Sequence, residues 1–403
     1  MRDAIDELNA YEKAMGIVLS IYAVAVNFSV AVTGICFGAG IMIMLTQYFK
    51  EKALPSVDKR LLYAVLIYIA VWLGLCFFSL DINASLHAWG SMAYRFLPMF
   101  FGVMYIRKLN QIKYIMLCYC LGIFVENIAA YYQIVTLSTN FGTRVIGCTE
   151  NPNDFANLLV LFIPAMFFMG KQIWQDSRVN KLLMLCCLCS VISLGLTQTR
   201  GAWLALAVMI IVAAFIAKEY RKLFIKIAAV GLASIVLLFA VSPAFQTRVN
   251  SIFDPNMSSN LERSRIYTSS INMIKDYPVA GVGLDNFEPV FNDNYVHPEA
   301  LLGPKYNRRT AHPHNNMLMM LTEGGIIGFA AYAGLYTFLL YLLWKKYKKN
   351  NMMDNFALMG IFVCLGLHLE GLTEMNIGHI QPMRELWFLL GISLCQLGEG
   401  DYK

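Results

Sequence analysis

The chain alternates between long apolar stretches and shorter polar connections. Many apolar stretches are about 17–25 residues long, the length at which a helix spans the hydrocarbon core of a bilayer. The pattern predicts about twelve membrane-spanning helices, at 14–30, 31–49, 61–79, 90–106, 112–136, 154–170, 181–197, 202–217, 222–241, 316–343, 355–373 and 378–397. Asn27, Ser29 and Gly34 mark the break between the first two. Pro382, Arg384 and Glu385 interrupt the last, so we expect its outer half to be irregular.

One connection is much longer than the others. Residues 242–315, between the ninth and tenth predicted spans, are mostly polar. Loops of this length within a compact fold are usually functional or disordered. The segment contains aromatic residues, a Pro/Gly turn from Tyr277 to Gly283 and an amphipathic stretch from Leu261 to Ile274. We therefore expect one all-α polytopic membrane domain over 1–403, with 242–315 as a folded external element that contains a helix.

The composition agrees with this class. Hydrophobic residues make up 58% of the chain and charged residues 14%, whereas soluble domains carry about 25% charge. These values exclude a soluble enzyme, a disulfide-stabilised secreted module and a disordered scaffold. The net charge of +6 suggests nucleic acid as a partner, but the basic residues lie mostly between apolar stretches. Membrane topology explains them better.

The basic residues also predict the orientation. Eighteen Lys and Arg residues fall in the short connections on one side, whereas only Arg144, Arg200 and Arg384 fall in those on the other. Short loops rich in Lys and Arg stay in the cytoplasm. The count therefore places both termini in the cytoplasm and residues 242–315 outside it.

Three arginines near the predicted outer face are candidates for binding an anion. Arg200 lies in a tight turn, Thr197 to Trp203, between two apolar stretches. A cation at such a depth is costly unless it is paired or functional, although snorkelling to lipid headgroups is an alternative. Arg263 and Arg265 begin the amphipathic stretch of the loop. Guanidinium groups bind phosphate and pyrophosphate oxygens in a bidentate manner, but a solvated helix face would show the same pattern.

The end of the long loop carries a candidate proton-transfer group. The sequence His312-Pro313-His314-Asn315 directly precedes the next span, and histidine is the side chain best suited to proton transfer near neutral pH. A zinc site that adds His297 and Glu299 is an alternative. It is the weaker one, because no further ligand has a diagnostic spacing.

Polar residues inside the predicted spans raise a different possibility. Arg95, Glu126, His368 and Glu370 would each suggest a transport pathway, and Arg95 would also suit an anionic headgroup near the outer leaflet. A secondary transporter usually shows internal repeats and binding residues at the midplane. Neither is visible in this sequence, and the polar residues collect at one face.

Several of these segments resemble the O-antigen ligase family, which also includes O-antigen polymerases and some protein O-oligosaccharyltransferases. His314-Asn315 is followed by nine residues and then by Gly325-Ile326-Ile327-Gly328, which resembles the hallmark of that family. The turn from Leu196 to Trp203 resembles the family's outer turn, with Arg200 as its arginine. Glu262-Arg263 with Tyr267, followed by Asp276-Tyr277-Pro278 and Gly281-Val282-Gly283, resembles its large-loop pattern; Asn151-Pro152-Asn153 resembles a further loop segment.

The resemblance implies a metal-independent glycosyltransferase without a cofactor in the bacterial inner membrane, with its active site facing the periplasm. Its donor would be an undecaprenyl-pyrophosphate-linked O-antigen glycan, and its acceptor a sugar hydroxyl of lipid A–core. An O-antigen polymerase that joins lipid-linked repeat units is the alternative within the family. The catalytic residues would be His314, Arg200 and Arg263, and the substrate-binding residues Arg265, Asn315, Arg95 and His312.

Overall fold

The computed structural model describes residues 8–136, 144–173, 177–254, 256–298, 312–350 and 354–397. Its α-helices are α1 Ala10–Ala25, α2 Val30–Glu51, α3 Lys59–Cys76, α4 Ile82–Tyr94, α5 Leu97–Tyr105, α6 Leu109–Thr136, α7 Pro152–Ile173, α8 Ser177–Leu196, α9 Arg200–Ile216, α10 Arg221–Val241, α11 Pro243–Phe253, α12 Ser258–Asp276, α13 Phe287–Val290, α14 Asn316–Lys349, α15 Asn355–Glu370 and α16 Ile380–Leu394. A short 3₁₀ turn (Lys218–Tyr220) precedes α10, and a π-helical turn (Phe291–Tyr295) follows α13. The described residues contain no strand.

The predicted fold class is confirmed. Seven of the described helices are long and apolar enough to cross a membrane, and two shorter apolar helices are α9 and α15. Every predicted span coincides with a helix or a pair of helices. The protein is therefore an all-α polytopic membrane protein, whereas the number of spans stays a prediction.

Polar side chains determine where several helices begin. The side chain of Ser29 accepts a hydrogen bond from the backbone N–H of Val32 and so starts α2 at the predicted break. Asp81 caps α4, and Asp354 caps α15, in the same way. Such caps satisfy N–H groups that have no partner within the helix.

Two predicted spans differ from the structure. The span at 90–106 is two helices, α4 and α5, which separate at Arg95 and Phe96. The last predicted span is not irregular at its start, because α16 runs unbroken from Ile380 to Leu394. Pro382 lies in the first turn, where a missing N–H leaves no helical hydrogen bond unmade.

The centre and the periphery of the bundle have opposite surroundings. Helix α15 contacts α7, α9, α14 and α16, and nearly all of its side chains are buried. In Lys218–Val241, which contains α10, only 6% of the most apolar 18-residue stretch is buried inside the protein. An apolar helix exposed on almost every side is expected to contact lipid.

The connections on the predicted outer side join into one layer. The backbone N–H of Leu80 donates to the carbonyl of Val282, that of Val145 to Leu196, and that of Asn316 to Gly371. These bonds join loops that are far apart in the sequence. The layer positions the site described next.

Candidate active site

The backbone at His314 has an unusual conformation. His314 has φ 51°, in the left-handed region that residues other than glycine rarely adopt and that is frequent at functional sites. The chain turns there because Asn315 starts α14: its Oδ1 accepts hydrogen bonds from the N–H groups of Met317 and Leu318. Tyr267 of α12 donates its hydroxyl to the carbonyl of His314 at 3.3 Å. The large loop therefore fixes the histidine from one side.

Glu374, a residue that sequence reasoning missed, is the hub of the site. It lies between α15 and α16, and its side chain is 5% exposed. Its Oε1 lies 2.7 Å from Nδ1 of His314, and its Oε2 accepts a hydrogen bond from Nδ2 of Asn153 at 2.6 Å. Arg263 places Nη2 at 3.7 Å from Oε2. Three distant parts of the chain thus meet at one carboxylate.

The surroundings keep Glu374 ionised. Burial alone would raise its pKa, but the hydrogen bond from His314 and the electrostatic interactions with His314, His312 and Arg263 outweigh burial and lower the pKa to about 2. An ionised carboxylate only accepts hydrogen bonds, so Nδ1 of His314 carries the hydrogen. In the neutral ring Nε2 is then left as the acceptor. This arrangement is that of an oriented general base.

His312 has a different electrostatic environment. Burial, together with the charges of His314 and His379, lowers the pKa of His312 to about 4, against the opposing effect of Glu374 and Asp154. His312 is therefore neutral at physiological pH. Its ring centroid lies 4.3 Å from that of His314 and 5.9 Å from that of His379.

The same residues have the composition of a metal site. One ligand atom each from His312, His314 and Glu374 lie within 4.8 Å of one another, and two histidines with a glutamate are a known zinc ligand set. Among the described residues, the carboxylate of this group is Glu374; Glu299 lies outside the described residues. Metal independence stays a prediction.

Four arginines lie beside this hub; we call Arg144, Arg200, Arg248 and Arg263 the arginine cluster. Burial and the charges of the other three arginines together lower the pKa of Arg144 to about 10, while Glu374 opposes them. Among the described residues, the carboxylate that forms an ion pair with the cluster is Glu374. The cluster therefore carries more positive charge than its paired acid neutralises.

The members of the arginine cluster differ in their hydrogen-bond partners. Arg200 donates from Nη1 to the carbonyl of Ser251 at 2.6 Å, and from Nη2 to Ser259 and Asn260 at 3.0 and 2.9 Å. It therefore ties the junction between α11 and α12 to the start of α9. In Arg248, Nη2 donates to the carbonyl of Gln198, whereas Nε has no hydrogen-bond partner among the described residues.

Three other predicted substrate-binding residues occupy different positions. Arg265 is two positions after Arg263 on α12, and residues at that spacing point to different sides of a helix. Arg95 donates to the carbonyl of Gly378 at 3.2 Å and to Ser91 at 3.1 Å. Asn315 uses its side chain to cap α14 and to donate to the carbonyl of Leu372. The roles of these three residues in substrate binding stay predictions.

The glycine pair of the motif does more than allow helices to pack. Gly325 has φ 55°, so α14 is kinked there. The segment 278–283 lies against the kink: the N–H of Val282 donates to the carbonyl of Thr322, and the N–H of Ile326 donates to the carbonyl of Pro278. A Cβ on Gly325 would collide with the backbone of Val279 and Ala280. The motif therefore attaches the large loop to the helix that starts at the site.

Comparison with known proteins agrees with this geometry. Residues 185–333 match the family model described as O-Antigen ligase. Over this segment the chain is similar to the O-antigen ligase family. The segment contains Arg200, Arg248, Arg263, His314 and both motif glycines, whereas Arg144 and Glu374 lie outside it.

One curated relative is an O-antigen ligase of Pseudomonas aeruginosa PAO1. It is 28% identical over 182 residues, which are 45% of this chain and 38% of that protein. The match thus spans well under half the length of the relative. Together the two findings show similarity to membrane enzymes of the O-antigen ligase type.

Proposed function

We propose that this protein transfers an undecaprenyl-pyrophosphate-linked O-antigen glycan to a sugar hydroxyl of lipid A–core. The observation that carries the proposal is the His314–Glu374 pair, 2.7 Å apart, beside four arginines. A glycosyl transfer from a pyrophosphate needs a group that accepts the hydroxyl proton and a group that stabilises the departing anion. The site offers one of each kind.

The chemistry follows from this placement. The acceptor hydroxyl oxygen attacks the anomeric carbon of the donor sugar as its proton passes to Nε2 of His314. The bond from the anomeric carbon to the phosphate oxygen breaks, and its electrons leave with the pyrophosphate. Glu374 holds the imidazole in its tautomer and stabilises the imidazolium that forms.

The arginine cluster would stabilise the charge that develops on the leaving pyrophosphate. Cations positioned beforehand in a site that excludes water stabilise such charge more strongly than water does. Arg263 and Arg248 would contact the phosphates, and Arg200 would add its charge while holding α11 and α12. No step in this scheme needs a metal ion.

The proposal requires the site to face the periplasm of the bacterial inner membrane, with both termini in the cytoplasm. All ten cysteines lie in described residues, and only Cys148 is exposed. It is in the same loop layer as the site. Cys148 should react with a membrane-impermeant maleimide in cells whose outer membrane has been permeabilised, and Cys148→Ser should remove the label. Labelling only after the inner membrane is broken would overturn the topology.

A deletion strain tests the reaction itself. Loss of the protein should leave long O-antigen attached to the polyprenyl carrier and lipid A–core without polymer, as seen on gels of each lipid fraction. Complementation with the wild-type gene should restore the ladder on lipid A–core, and with His314→Ala should not. Accumulation of single repeat units would instead indicate a polymerase.

A further inference from the structure

A cavity of about 240 Å³ lies beside the site, between α3, α4, α14 and α16. Ile377 and Gly378 form part of its wall, and Arg95 donates to the carbonyl of Gly378. Glu374, on the same loop, contacts Arg263 of the arginine cluster. The loop 371–379 therefore separates the cavity from the arginines.

Aromatic rings form much of the wall. Tyr68 and Trp72 come from α3, Tyr336 from α14, and Trp387 from α16. These rings are largely buried and pack on one another, so they give the cavity a rigid apolar wall that suits the C–H groups of a sugar ring. A phosphate group would gain nothing from this apolar wall.

The polar lining includes both signs of charge. Arg95 lies on one wall, whereas Asp285 and Glu323 supply carboxyl groups on others. Nε of Arg95 and the hydroxyl of Tyr332 have no hydrogen-bond partner among the described residues. A neutral polyol, whose hydroxyls both donate and accept, suits this mixture better than an anion or a hydrocarbon chain.

We propose that the cavity binds one sugar residue of the acceptor glycan, next to the residue that receives the transferred chain. This rests on the proposed function. The pyrophosphate of the donor belongs with the arginines on one side of loop 371–379, so the acceptor approaches His314 from the cavity side. Asp285 and His87 are exposed, and they mark where the cavity opens.

Filling the cavity provides the test. Ala88 lines it, whereas Ala84 lies one turn earlier on α4 and does not. Ala88→Leu should raise the KM for purified lipid A–core about tenfold or more, because a side chain would occupy the space of a sugar. The KM for the lipid-linked donor should stay unchanged, and Ala84→Leu should resemble wild type in both constants.

Direct binding separates this inference from the proposed reaction. Delipidated core oligosaccharide alone should change the tryptophan fluorescence of the wild type and of Ala84→Leu, because Trp72 and Trp387 line the cavity. Ala88→Leu and Asp285→Asn should weaken this response. Such a result supports the sugar site even if the wild type transfers no glycan, in which case only the proposed reaction fails.

Two outcomes would overturn the inference while leaving the reaction intact. In the first, Ala88→Leu raises the KM for the donor and not for lipid A–core, which would assign the cavity to the donor. In the second, Ala88→Leu is inserted and folded but binds the oligosaccharide as the wild type does.

Discussion

Arg200 and Arg263 have the same side chain and stand in opposite surroundings. Arg200 makes hydrogen bonds to the carbonyl of Ser251 and to the side chains of Ser259 and Asn260. Arg263 faces a buried carboxylate, Glu374, at 3.7 Å. The first arginine is held by the protein's own polar groups, whereas the second lies beside the carboxylate that holds His314. Under the proposed function, Arg200 mainly serves architecture and Arg263 mainly serves chemistry.

The largest effect is expected from removal of the base on the Arg263 side. His314→Ala should lower the transfer rate by about 10²–10⁴-fold, the usual contribution of a positioned general base. His312→Ala should be milder, because His312 has no direct hydrogen bond to Glu374 and is neutral. The rates are measured with purified donor and acceptor, and size-exclusion chromatography in detergent checks folding. Near-normal transfer by a folded His314→Ala variant would remove His314 from the mechanism.

Glu374→Gln should come next, with a loss on the order of 10²-fold in kcat, because the amide no longer stabilises the imidazolium. The matched control is Glu262→Gln, an exposed acid on α12 next to Arg263. If Glu374→Gln kept full kcat, the carboxylate would be only a structural partner of Asn153.

Substitution by lysine should affect the two arginines differently, because lysine keeps the charge but loses the planar guanidinium group. Arg263→Lys should raise the KM for the donor about tenfold with an unchanged melting temperature. Arg200→Lys should lower the melting temperature, because lysine cannot reach Ser251 and Asn260 together. An Arg200→Lys variant with wild-type stability and a raised donor KM would reverse the comparison.

A smaller effect concerns pH. The folded pKa of His312 is about 4, below its ordinary 6.5, so the unfolded chain binds more protons between these values. Stability should therefore fall as the pH drops from 6.5 toward 4. His312→Gln should reduce the fall in melting temperature between pH 7 and pH 5, measured in EDTA. An unchanged fall would show that His312 is not the cause.

The smallest expected effect is that of chelation. Activity should survive EDTA, because the arginine cluster supplies the charge stabilisation. The experiment is informative because the ligand atoms of His312, His314 and Glu374 lie close enough together to hold a metal ion. Loss of activity with EDTA and recovery with a divalent ion would show that the site works as a metal centre.

The sequence was sufficient to predict the helices and to single out His314 as a candidate, because both depend on local pattern. Apolar length predicted the spans, and the spacing from His314 to Gly325 and Gly328 indicated the motif. Glu374 was missed because the predicted span 355–373 ended just before it, so a short outer loop with a single acid drew no attention. The available signal was the position of Glu374, an acidic residue just beyond the predicted outer end of a span.

Arg144 and Arg248 show what local pattern cannot supply. Each looked like an isolated loop cation, and their proximity to Arg200 and Arg263 arises only when α11, α12 and the segment before α7 pack together. Likewise, Pro382 suggested an irregular span. Its position in the first turn of α16 depends on where the helix begins, which composition does not determine.

The kink at Gly325 constrains how the protein is assembled in the membrane. The carbonyls of Thr322 and Glu323 and the N–H groups of Ile326 and Ile327 are satisfied by residues 278–283, and unsatisfied backbone groups are costly near lipid. Helix α14 therefore reaches its final shape only after the preceding segment lies against it. Because that segment is synthesised first, biogenesis supplies the two parts in the order that the kink needs.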